Sequence, residues 1–103
     1  MIIKNTTKSP DSLVLCILAS ALDVTNAGTF RDEASPLVAG SSGKVAVDCS
    51  KLEFIDSSGV GALLHANKLL PPERRPVCLT GVGPKIMAQL ELMHVHRSFV
   101  FEG

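Results

Sequence analysis

Residues 47–64 read VDCSKLEFIDSSGVGALL, and this stretch decides the fold class. Lys44 to Cys49 is a short strand, with Val45, Ala46 and Val47 forming a continuous apolar run before Asp48. A second apolar step, Phe54-Ile55, leads into Asp56-Ser57-Ser58-Gly59. Val60, Leu63, Leu64 and Leu70 then fall near one face of a helix that Pro71-Pro72 stops. Asp56, Ser57 and Ser58 are all residue types that cap a helix start, because each brings an oxygen within reach of backbone N–H groups that lack an intrahelical partner. Strand, break and helix in that order are one unit of an alternating α/β chain.

Upstream, the longest apolar run, Leu13 to Ala19, is bounded by Ser9-Pro10-Asp11-Ser12 and by Ser20. It reads as a buried central strand, paired with the short start at Ile2 and Ile3. From Thr25 onward Ala27, Phe30, Ala34 and Leu37 recur three or four apart and predict a first helix. Pro36 lies inside that pattern, where it removes a hydrogen bond and clashes with the carbonyl four residues back, so the helix is expected to kink or end near Ser35. Downstream of the polar loop Glu73-Arg74-Arg75-Pro76, Val77 to Thr80 is a strand, and Gly81-Val82-Gly83-Pro84 opens a third helix with Ile86, Leu90 and Met93 as its stripe. Ser98 to Phe101 closes the chain as an edge strand. The alternation predicts one α/β domain over residues 1–103, with a mixed, largely parallel sheet and right-handed crossover helices.

A chain of 103 residues with 46% hydrophobic content can bury a core without metal or disulfide staples, and at 19% charged residues it does not have the composition of a disordered segment. Ten acidic and ten basic side chains cancel, which removes the basic excess that phosphate contacts need. Four Phe with no Trp or Tyr make a poor base-stacking platform, so nucleic acid is not an expected partner. Cys16, Cys49 and Cys78 each sit in an apolar run, not in a C-x-x-C cluster, and read as free, packed thiols of a reducing compartment. The first residues, MIIKNTTKSPDS, turn polar after two apolar positions and hold neither a signal-peptide core nor a membrane span. A cytoplasmic chain with no direct membrane insertion is expected.

Enzymatic chemistry is thinly supported. Gly81-Val82-Gly83-Pro84-Lys85 follows a strand and opens a helix, but it has neither the third glycine of a dinucleotide fingerprint nor the spacing of a P-loop. Ser57 and Ser58 lack the G-x-S-x-G context of a nucleophile elbow, and no His is placed beside them as a base. His94 and His96, two apart, would point the same way on a strand, yet no Cys or carboxylate joins them at a ligand spacing, and His65 reads as a neighbour of the helix stripe. No catalytic residue, metal or cofactor is therefore assigned. The segment left over is Asp56-Ser57-Ser58-Gly59-Val60-Gly61. A serine there exposes its hydroxyl where the helix dipole tolerates a phosphate, and two glycines keep the surface low at a cost of about 1 kcal/mol each relative to Ala. The hexapeptide alone favours a plain capped helix start with small residues packed on the preceding strand.

The longer stretch resembles the core motif of STAS domains, the family named for sulfate transporters and anti-sigma-factor antagonists. Leu22-Asp23 is similar to the family's G-x-L-D turn, Thr80-Gly81-Val82 to its last strand-to-helix turn, and Leu90-Glu91-Leu92-Met93 to its closing helix. Ser20 and Ala21 stand where the family has a glycine and an acidic residue ahead of Leu22-Asp23. The resemblance implies phosphorylation of Ser57. It also implies a partner-binding surface made of Asp23, Asp56, Ser57, Ser58, Gly59, Val60 and Gly61. The partner so implied is an anti-sigma factor or serine kinase, bound while Ser57 is unphosphorylated. Two alternatives stay open on sequence: an accessory or scaffold subunit of a membrane transport or stress-signalling complex without a phosphoswitch, and a small anion or nucleotide binder using the Asp56-Ser57 edge with Gly81 to Lys85. Self-association through the edge strand is likewise open.

Overall fold

The computed structural model describes residues 1–7 and 11–102. The Ser9-Pro10 part of the expected turn ahead of the long strand lies outside them. In chain order the elements are β1 (Ile3–Asn5), β2 (Ser12–Ile17), β3 (Ala21–Leu22), α1 (Ala27–Ala39), β4 (Lys44–Asp48), β5 (Phe54–Ile55), α2 (Ser57–Leu69), β6 (Cys78–Thr80), α3 (Pro84–Leu92) and β7 (Val100–Glu102). Single 3-10 turns cover Pro72–Arg74 and His96–Ser98.

Five strands form one sheet in the order β1-β2-β4-β6-β7. β1 runs antiparallel to β2, Ile3 facing Ile17, and the remaining pairs are parallel, with Leu15 beside Val47, Val47 beside Leu79 and Leu79 beside Phe101. This is the mixed, largely parallel α/β sheet expected from the alternation. Because side chains alternate along a strand, that register sends Ile3, Leu13, Leu15, Ile17, Val45, Val47 and Leu79 to one face, where they join one buried core with Phe30, Val38, Leu63, Ile86 and Leu90 from the three helices. Val14, Cys16, Ala46 and Cys78, of opposite parity, stay outside that core. A fully buried Leu, Ile or Phe contributes about 1.5–3 kcal/mol, so the helix-covered face holds most of the apolar stabilisation.

Pro36 does not end α1, which continues to Ala39. Its buried residues are Ala27, Phe30, Ala34 and Val38, so the stripe passes through Val38 and leaves Leu37 exposed. Pro36 itself lies on the exposed side, while Ala34 and Val38 on the packed side hold the last turn in place. Gly40 N–H to the Pro36 carbonyl at 3.0 Å and Ser41 N–H to the Val38 carbonyl at 3.1 Å close the helix end.

A second, two-stranded parallel sheet, β3 beside β5, was not expected from the sequence: Ala21 pairs with Phe54 and Leu22 with Ile55. Segments of two residues carry no periodicity to read. Polar groups from distant parts of the chain supply what so short a sheet lacks, since the Ile55 N–H donates to Gln89 Oε1 at 3.0 Å. Arg74, in the loop read only as polar, donates to the Ser41 and Gly43 carbonyls at 2.6–3.0 Å and ties the α1–β4 connection down. The three cysteines are buried and unpaired with one another. No helix among the described residues is long and apolar enough to cross a membrane.

Candidate functional site

The β3/β5 pair places the site. Its register puts Leu22 beside Ile55, so the residues that leave the two parallel strands, Asp23 and Asp56, emerge at the same end. Asp56 caps α2: Oδ1 accepts from the Gly59 N–H at 2.9 Å, and Oδ2 accepts from the Val24 N–H at 3.1 Å. One carboxylate thereby satisfies an orphan donor of the helix and fastens the helix start to the loop after β3. Asp23 Oδ1 accepts from the Thr25 N–H at 2.9 Å and from the Thr25 hydroxyl. The Asp23 N–H donates to Asn26 Oδ1 at 2.9 Å, while Asn26 Nδ2 donates to the Ala21 carbonyl at 2.8 Å. Both carboxylates expected on a partner-facing surface are thus engaged in building the turns around it.

Ser57 occupies the first position of α2 and is exposed. Ser58 beside it is partly exposed, and neither hydroxyl has a hydrogen-bond partner among the described residues. Gly59 and Val60, which the sequence reading placed on the same surface, are buried. A Cβ at Gly59 would lie 2.1 Å from the Leu22 carbonyl oxygen, so the missing side chain lets α2 touch the β3 backbone. Their part in the site is to seat the helix. Gly61 is partly exposed, and the nearest atom to a Cβ built there is Arg31 Nη2 at 3.4 Å.

Arg31, on α1, is the residue that the sequence reading missed. It shares a recess of about 280 Å³ with Ser57, Ser58, Gly61, Val24, Ala27 and Gly28. Nothing in the local pattern around Arg31 announces this, because the contact is made only by the packing of α1 on α2. None of residues 81–85 lines the recess, so the two halves of the anion pocket considered on sequence do not meet there. Gly83 and Pro84 form the start of α3, and Gly81, at φ +65°, turns the chain against Ser50. His94 and His96 fall in the turn after α3 and not on a strand. His65 lines two recesses, one with Phe30 and Ala34 of α1 and one with Lys68 and Ser98. Among the described residues no group of three or more His, Cys, Asp or Glu is arranged to hold a metal ion.

Residues 5–101 match the family model described as "Mlab, STAS domain". The chain belongs to the STAS family. The STAS domain protein of Planctomyces limnophilus, an anti-sigma-factor antagonist domain, superposes with a TM-score of 0.83 at 20% identity, covering 98% of this chain and 88% of that one. The Bacillus cell-fate determinant SpoIIAA in its phosphorylated form gives a TM-score of 0.68 at 18% identity over 98% and 91% of the two chains. An RsbS of Moorella thermoacetica carrying a serine-to-glutamate substitution gives 0.72 at 26% identity over 93% and 82%. No curated protein matches the sequence. The chain is thus a STAS domain resembling anti-sigma-factor antagonists, and its α2 start carries the Asp-Ser-Ser-Gly segment on which the sequence comparison rested.

Proposed function

We propose that this STAS domain is a phosphorylation-switched, non-enzymatic binding module of the cytoplasm. The start of α2 docks an anti-sigma factor with serine-kinase activity while Ser57 is free and releases it when Ser57 carries a phosphate. The reading rests on one observation above all, that Ser57 presents an exposed hydroxyl with no hydrogen-bond partner among the described residues. A kinase can reach such a group without unfolding the domain.

The magnitudes favour a switch that spares the fold. A phosphate adds a charge of about −1.5 to −2, and at the first position of α2 the helix dipole offers about 0.3–1 kcal/mol of compensation. The isolated domain therefore tolerates it. At an interface the same group has to be desolvated, and burying an unpaired charge costs about 2–5 kcal/mol, or roughly 30-fold to several thousand-fold in affinity. In a pull-down from native lysate, Ser57→Ala is expected to hold its protein partner constitutively and Ser57→Asp to lose it by at least tenfold. Equal capture by the two variants removes the switch.

A further inference from the structure

We propose that Arg31 receives the phosphate of Ser57; the inference rests on the switch reading above and names the group that holds the modified state. Ser57 and Gly61 are four residues apart on α2, which stacks their Cβ positions on one face about 5–6 Å from each other. The Arg31 Nη2 atom lies 3.4 Å from where a Gly61 Cβ would be. One helical turn along from Ser57, the place of a side chain is thus taken by a guanidinium from α1. A phosphoryl oxygen stands three covalent bonds beyond the serine Cβ, which extends the modified side chain within the recess that Ser57 and Arg31 both line. The guanidinium fork matches phosphate oxygens in pairs, which a point charge does not.

Arg31 is available for the task. It is exposed and has no ion pair or hydrogen bond among the described residues. The carboxylates nearest the helix start do not compete for it: Asp56 already accepts from the Gly59 and Val24 N–H groups, Asp23 accepts from Thr25, and neither lines the recess. His65 and Lys68 from α2 border the adjoining recess beyond Gly61, which Arg31 also lines, and bring no negative charge to it. Paired with Arg31, the phosphate lies down between α1 and α2 instead of projecting into solvent. It fills the hollow that a docking partner would enter and bridges the two helices.

The test is a 31P NMR titration of the full chain with phosphoserine installed at position 57 during translation. The second ionisation of the phosphate is expected about 0.5 unit lower in the native background than in Arg31→Gln, because a nearby cation favours the doubly charged form. Arg31→Lys recovers part of the shift, since it keeps the charge and loses the fork. The native shift also shrinks at about 1 M salt, which screens an exposed charge pair. Titrations that coincide in native and Arg31→Gln chains overturn the inference, even where phosphate abolishes partner binding. An Arg31-dependent shift in a chain whose partner binding ignores the phosphate sustains the contact and ends the switch reading instead.

Discussion

An α2 glycine at position 59 and another at 61 solve different problems, and alanine at each tells them apart. At Gly59 the added methyl meets backbone, the Leu22 carbonyl oxygen at 2.1 Å and its carbon at 2.8 Å, so α2 has to move off β3. At Gly61 it meets only the end of a flexible arginine at 3.4 Å. Urea unfolding should therefore show Gly59→Ala destabilised by about 1–3 kcal/mol, the cost of overpacking. Gly61→Ala should be stabilised by about 0.5–1 kcal/mol, the helix propensity gained. Opposite signs at two positions separated by one residue would place the close approach at Gly59 alone; equal signs would contradict the seating described for α2. At this scale the sequence was readable wherever a residue acts on its own neighbours. Asp56 reads as a cap because the N–H it binds lies three residues on, at Gly59. It was unreadable wherever the partner comes from another element, as with Gly59 against Leu22, Arg31 over Gly61, and the second Asp56 oxygen on Val24.

Among the elements, those long enough to show a period were legible and the two-residue strands were not. β2, β4, α2 and α3 lie within a residue or two of where apolar spacing, Pro71-Pro72 and Gly83-Pro84 put them. α1 outran its expected end because packing of Ala34 and Val38 outweighs one missing hydrogen bond on the solvent side. The β1–α1 contact was invisible for a related reason: Glu33 accepts from the Ile2 and Ile3 N–H groups at 2.9 and 3.1 Å, and those backbone bonds hold its carboxyl below the usual range. Just past β4, burial first, and then the neighbouring Asp48 and Cys16, push the Cys49 thiol up to about 12 from 9.0. The unfolded chain gives up that proton near pH 9, whereas the folded chain keeps it, so this stabilisation is complete below about pH 9 and declines as pH rises toward 12. Urea midpoints taken from pH 8 to 10 should fall by the equivalent of about 1 kcal/mol, and Cys49→Ala should flatten the slope. A slope unchanged by that substitution would assign the alkaline loss to other groups.

Across the whole molecule, the core lies on one face of the five-stranded sheet, with residues from all three helices contributing to it, and the small β3/β5 sheet hands α2 its starting point. That arrangement leaves Ser57 outside the core and free of internal hydrogen bonds, while the groups beside it, Asp56, Asp23, Asn26 and Gly59, are fixed by contacts of their own. A rigid frame around the more exposed of two adjacent hydroxyls is what the proposed phosphoswitch requires, since the charge can then alter docking without altering the fold. Phosphopeptide mapping of the chain after incubation with its native lysate and ATP addresses this claim most directly. A single phosphate on the peptide containing Asp56-Ser57-Ser58, localised to Ser57 and lost in Ser57→Ala, is the predicted result; an unmodified chain, or a phosphate on Ser58 that persists in Ser57→Ala, would contradict it.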